Sequence, residues 1–217
     1  MTTQESFLSD VEAHSMHVIR DDGIYRHIRF KRPSTGCMFF DLITWPGALC
    51  YTGDMGTYVF SRIEDMFEFF RTDQSRAKPG ELRINLGYWS EKLIAVDGGR
   101  RNGSATEFSE EKFTQVINDY VSEWIEGREV SEEAAAALRD AVQEEIIDML
   151  ESQDESYNYR LGSEFRHDVE GDEFYFQGLW GYSFTEYTTH FKWCCYALAW
   201  GIQKYDESKP DTKEQSE

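Results

Sequence analysis

The stretch that decides the fold is residues 17–61, HVIRDDGIYRHIRFKRPSTGCMFFDLITWPGALCYTGDMGTYVFS. Aromatic and β-branched runs alternate here with turn signals about every 8–12 residues, the pattern of an antiparallel meander. HVIR (17–20) and GIYRHIRFK (23–31) flank Asp21-Asp22, with Gly23 as a turn residue. Pro33-Ser34-Thr35-Gly36 turns the chain into CMFFDLIT (37–44), and Trp45-Pro46-Gly47 into ALCYT (48–52). Gly53-Asp54-Met55-Gly56 then leads into TYVFS (57–61). Successive strand residues point to opposite faces. Ile24, Ile28 and Phe30 therefore look inward, Arg26 shares their parity, and His27, Arg29 and Lys31 share the other face. The run 37–44 is apolar at both parities, which predicts a central strand covered on two sides.

Working outward, IEDMFEFFR (63–71) reads as a short amphipathic helix, TDQSRAKPGE (72–81) as a loop, and LRINLGYWSEKLIAVD (82–97) as one broken or two short strands. GGRRNGSAT (98–106) has linker composition. Two helices follow, 109–127 and 131–152, opening on Ser109 and Ser131 as N-caps. Phe113, Val116, Ile117, Tyr120 and Trp124 form the first apolar stripe; Leu138, Val142, Ile146 and Met149 belong to the second. Residues 154–175 read as an irregular acidic excursion. FTEYTTHFKWCCYALAWGIQKYD (184–206) predicts a helix apolar around most of its circumference, hence a central one. Its aromatic residues have the spacing of a core.

The expected fold is α+β: an antiparallel sheet of five to seven strands in 1–104, packed by a core helix in 176–205. An acidic helical subdomain occupies 105–175 and a disordered tail 206–217.

The charge is patterned. The 217 residues carry 41 acidic and 22 basic side chains, net −19, and 21 of the acids against five bases fall in 105–175. That balance argues against a nucleic-acid-binding protein, whose footprint is a basic face. The N-terminus has neither the basic nor the apolar region of a secretory signal, and no run of about 18 apolar residues predicts a membrane span. Cys37, Cys50, Cys194 and Cys195 lack zinc spacing and sit among apolar residues, which predicts buried, reduced thiols in a cytosolic protein.

No motif fixes a reaction, and no cofactor or metal is implied. On 131–152, Glu133, Asp140, Glu144, Asp148 and Glu151 line one face at steps of seven, four, four and three; on 109–127, Asp119, Glu123 and Glu126 do the same. These eight are the candidate partner-binding residues. A partner with a basic, nucleic-acid-binding groove is the functional account, and a solvated helix face is the simpler one. Residues 131–152 span about 33 Å as a helix and carry a net −6, against roughly 19 phosphate charges on duplex DNA of that length. Neighbouring acidic segments are needed to close that gap. Asp41, alone within FFDLIT, needs a partner on a covered strand; Arg26 across the sheet is one, and a catalytic acid is the alternative. His27 beside Arg29 offers a small anion site, while His14, His17, His167 and His190 join no nucleophile or metal motif. An enzyme reading thus rests on Asp41, Asp54 and His27 on the sheet. A phage structural or scaffold role predicts stable homo-oligomers.

The stretches FDLITWPG (40–47), GDMGTYVFSRIEDMFEFFR (53–71) and FKWCCYALAWGIQKYD (191–206) resemble an uncharacterised family of small proteins from tailed bacteriophages and prophages. The resemblance covers about 90 residues and leaves the acidic middle unmatched. It implies a phage accessory protein acting in a bacterial cytoplasm, a setting where small acidic proteins counter host defences. The expectation is therefore an acidic, non-enzymatic inhibitor of a host nucleic-acid-handling complex, of CRISPR-effector or restriction type. It would occupy a basic groove without touching nucleic acid or membrane, and a homodimer is compatible with it.

Overall fold

A computed structural model describes residues 2–97, 104–151 and 154–210. The fold is α+β, and the chain divides into two units, 1–105 with 187–217, and 106–186. The second unit thus takes in residues 176–186, which sequence patterning joins to the core helix. Most of the expected linker, 98–103, and the tail from 211 onward lie outside the described residues.

Unit 1 is a six-stranded antiparallel meander in strict chain order. Its strands are β1 (Ser15–Asp22), β2 (Tyr25–Lys31), β3 (Phe39–Trp45), β4 (Ala48–Gly53), β5 (Gly56–Ser61) and β6 (Leu93–Val96). Four helices join it: α1 (Gln4–Val11), α2 (Met66–Gln74), α3 (Leu86–Ser90) and α7 (Thr189–Glu207). Register stacks one side of the sheet into a core: Phe30 pairs with Phe40, Ile28 with Leu42, Leu42 with Tyr51, and Tyr51 with Tyr58. All four helices place side chains in that core, including Phe7, Phe67, Trp89 and Leu198. The central helix contributes ten buried residues. It crosses the sheet closely at Gly201, where a Cβ would lie 3.0 Å from Leu42 and 3.1 Å from Phe30.

Several expectations are corrected here. The central strand is covered on one face within the unit: Phe39 and Ile43 are half-buried and Trp45 is exposed. The residues around them at that parity, Arg29, Thr52 and Ser61 among them, are too polar to seat a second layer. The first half of 82–97 is the short helix α3, because Asn85 accepts the Tyr88 N–H and starts a turn. Helix α1 is an added element, with Phe7 and Val11 one turn apart and buried. Helix α7 begins at Thr189, not 184, since the Thr188 hydroxyl caps Phe191 N–H, and it runs on to Glu207, inside the expected tail. Cys37 is exposed; the other three cysteines are half-buried or buried, and all four are free.

Unit 2 holds β7 (Thr106–Phe108), α4 (Glu110–Glu126), α5 (Glu132–Val142), α6 (Glu155–Glu164), the hairpin β8 (His167–Val169) and β9 (Asp172–Phe174), and β10 (Thr185–Tyr187), whose last residue belongs to unit 1. The expected irregular excursion is therefore a capped helix and a hairpin. Asp154 caps Tyr157 N–H, and Phe165, Phe174 and Phe176 fill a second core with Phe113, Ile117 and Leu138. The second acidic helix is also shorter than expected. Helix α5 passes into a π-helical turn at Gln143–Ile147 and stops. Leu138, Val142 and Ile146 recur every four residues and are all buried. Steps of four drift about 40° per turn around an α-helix. Widening the turn keeps Ile146 over the core with the other two.

Candidate functional site

Two surfaces carry the residues singled out by the sequence. On unit 1, the open face of the sheet brings His27 and Asp41 together, with Arg29 completing the cluster. Arg29 Nε and Nη2 donate to the two Asp41 oxygens at 2.8 and 2.7 Å, and His27 Nε2 lies 3.0 Å from Oδ2. Cross-strand register explains this, because Asp41 stands opposite Arg29 with His27 two residues away on the same strand. The expected Arg26–Asp41 pair does not form. Arg26 points into the core side, as its parity requires, and makes a two-pronged bond to Asp65 at 2.9 and 2.8 Å. Asp65 also accepts the Phe67 N–H as the cap of α2.

Asp41 is only 4% exposed. Burial alone raises its pKa, but the bonds from Arg29 and His27 overcome it and hold the carboxyl below the usual 3.8. A carboxylate locked in a two-pronged guanidinium pair is neither a proton donor at neutral pH nor an available base. Asp54 is not part of this cluster. It sits in the β4–β5 turn and accepts the Met38 and Phe39 backbone N–H groups through Oδ2. Burial pushes the thiols of Cys194 and Cys195 well up and that of Cys50 up, the direction opposite to an activated nucleophile. Among the described residues no group of three His, Cys, Asp or Glu could hold a metal ion. No helix among them is long and apolar enough to cross a membrane.

Unit 2 is the acidic body. It carries 22 acidic and five basic side chains, net −17, while the rest of the chain carries 19 and 17. Every ion pair among the described residues lies in unit 1. Asp119, Glu123 and Glu126 are exposed along α4, and Glu133, Asp140 and Glu144 along α5 and its π turn. Asp148 and Glu151 are exposed too but lie beyond the last helical residue, so the continuous stripe stops at Glu144. Asp148 is engaged locally, accepting Gln143 Nε2 at 2.7 Å. Glu133 has a structural reason as well, since it lies in the first turn of α5 at the positive end of the helix dipole. The side chains of the remaining six, Asp119, Glu123, Glu126, Asp140, Glu144 and Glu151, make no hydrogen bond or ion pair among the described residues.

Patterning missed one feature of this unit. Tyr120, Glu123 and Trp124, at i, i+3 and i+4 on α4, line a cleft of about 480 Å³ together with Arg128, Glu173 and Tyr175. The Arg128 guanidinium stands 4.1 Å from the Trp124 ring centre, so the cleft already stacks one arginine against an aromatic wall. Its signal in the sequence was a carboxylate between two rings on one helix face. Comparison with protein-family models, with curated proteins and with solved structures finds no match.

Proposed function

We propose that unit 2 is an acidic docking module that occupies the basic, nucleic-acid-binding groove of a protein partner and thereby excludes nucleic acid from it. The observation that carries this reading is the separation of charge: an 81-residue unit has net −17 and unpaired carboxylates, whereas the other unit is nearly balanced and contains every ion pair among the described residues. Like charges at i,i+4, such as Asp140 and Glu144, cost a helix about 0.2–0.5 kcal/mol. Binding to a cationic groove offsets that cost, and a negative field speeds encounter with such a groove. The helical stripe from Glu132 to Ile147 is about 24 Å long, matching roughly 14 duplex phosphate charges, of which about half face one partner. The acids of α4 and the Glu123–Glu173 cleft supply the remainder. In keeping with the resemblance to tailed-phage proteins, the partner in this reading is a nucleic-acid-handling defence complex of a bacterial host, which the module inhibits.

The test is capture by the tagged full chain from nuclease-treated bacterial lysate, compared with the variant E133K/D140K/E144K. The expected result is one nucleic-acid-binding complex, released at moderate salt, displaced by added duplex DNA and lost with the variant. Equal recovery by the variant, or displacement by salt but not by DNA, would overturn the reading.

A further inference from the structure

Unit 1 contains a cavity that the docking reading does not use. It measures about 240 Å³ and is assembled from four places in the chain: the end of α1 and the turn after it (Asp10, His14), the entry to β3 (Met38, Phe39), the β4–β5 turn (Asp54, Met55), and α7 (Trp193). Its apolar walls are Met38, Met55 and the Trp193 ring, with Phe39 lining it at the entry to β3, and its ionisable groups are Asp10, Asp54 and His14. Arg32, which bonds Met38 Sδ at 3.6 Å, is not among the lining residues.

Three observations mark it as built to hold something. The two carboxylates are fixed by bonds to the walls and keep an oxygen free. Trp193 Nε1 donates to Asp10 Oδ2 at 3.0 Å, and the Met38 and Phe39 N–H groups donate to Asp54 Oδ2. Oδ1 of each accepts no hydrogen bond among the described residues. His14 Nδ1 is buried without a hydrogen-bond partner, and burial lowers the imidazole below its ordinary 6.5, so the ring adds no positive charge at neutral pH. Met38 holds a left-handed backbone (φ 59°), a conformation that costs a methionine energy and that gathers at ligand clamps. Few convergent polar groups on an apolar, preformed wall is the usual make-up of a small-molecule site.

We propose that this cavity binds a small primary amine carried on a ring-bearing apolar body. The ring packs between Met38, Met55 and Trp193, where sulfur–aromatic and ring–ring contacts are favourable. The ammonium group donates to the free oxygens of Asp10 and Asp54, with two negative charges and no lining cation to meet it.

The test is titration of the full chain with 2-phenylethylamine, 2-phenylethanol and 3-phenylpropionate, followed by the Trp193 indole N–H resonance, assigned through Trp193→Phe. That N–H sits on Asp10, so a ligand reaching the carboxylate moves it. The amine is expected to bind about tenfold more tightly than the alcohol and to outcompete the acid by more. Asp10→Asn keeps an acceptor for Trp193 but removes the charge, and should cost the amine about tenfold while leaving the alcohol unchanged. Met55→Trp should abolish binding of all three by filling the cavity, with the rest of the spectrum unchanged. Binding of amine and acid within about twofold of one another, no shift of the Trp193 resonance at about 10 mM amine, or full amine affinity in Asp10→Asn would each overturn the proposal.

Discussion

Asp41 and Arg26 show what pattern reasoning settles for a single residue and what it leaves open. Parity placed Arg26 on the core side and Asp41 on a strand that cannot leave it bare, yet both needed partners and each was the nearest unclaimed candidate for the other. Alternation assigns faces and says nothing of which helix cap lies beneath a face, so Asp65 was invisible as the partner of Arg26. Register decided the rest, because Asp41 stands opposite Arg29. Double-mutant cycles should report coupling of at least about 1 kcal/mol for Arg26 with Asp65 and for Arg29 with Asp41, and less than about 0.5 kcal/mol for Arg26 with Asp41. Asp41→Asn should destabilise unit 1 by about 1–3 kcal/mol, less than for a sealed pair because the Arg29 side chain is 40% exposed and regains water. Acid should unfold unit 1 in two stages. His14 is depressed below 6.5, so as pH falls through that value the unfolded chain takes up a proton that the folded chain refuses, and stability drops. Asp41 and Asp65 are depressed below 3.8, and their contribution is full above that value and lost as pH falls through their folded values. Urea midpoints across pH 7 to 3 should show both stages, the first absent in His14→Gln.

At the scale of elements, the meander was legible because strands of period two are bounded by turn residues whose chemistry has few alternatives. Helices α4 and α5 were legible from serine caps and stripes. The failures share a cause: short segments whose structure depends on a cap or on the core beneath. Helix α1 is two turns marked by Phe7 and Val11 and by a Thr3–Ser6 capping box that lacks the usual Glu or Gln, α3 rests on Asn85, and 154–175 mixes aromatic and acidic residues without a period. The early end of the second acidic helix follows from packing of Ile146, which no surface charge pattern reports. The acidic faces were legible as candidates, but the Tyr120–Trp124 cleft required knowing that β9 and the residues after it pass beside α4. Two substitutions test this level. Gly201→Ala gains about 1 kcal/mol of helix propensity but crowds Leu42 and Phe30, both fully buried, so the net effect should be destabilising by about 1–2 kcal/mol in thermal unfolding. Asp140→Asn with Glu144→Gln removes a like-charge i,i+4 pair and should stabilise unit 2 by a few tenths of a kcal/mol while weakening partner capture. Stability and capture falling together would place these carboxylates in the fold's favour and remove the argument that they are kept for binding.

For the whole molecule, one chain carries two cores, one nearly balanced in charge and one strongly acidic, and salt should affect them differently. Unit 2 compresses a net −17 into 81 residues, and its own repulsion works against the folded state. Raising sodium chloride from about 0.01 to 0.5 M shortens the screening distance from roughly 30 Å to a few ångströms. That relieves repulsion, so amide exchange within α4, α5 and α6 should slow. Unit 1, nearly balanced and held together by paired charges, should gain nothing from the same change and lose a little as its exposed pairs are screened. Association with a cationic groove depends on the same field with the opposite sign, so the salt that steadies unit 2 should weaken capture of its partner. These opposite responses make the reading decisive, because binding lost at high salt cannot then be attributed to an unfolded module. Exchange that responds equally in both units, or capture indifferent to salt, would mean that the charge of unit 2 is a solvated surface and that its partner, if it has one, is held by other chemistry.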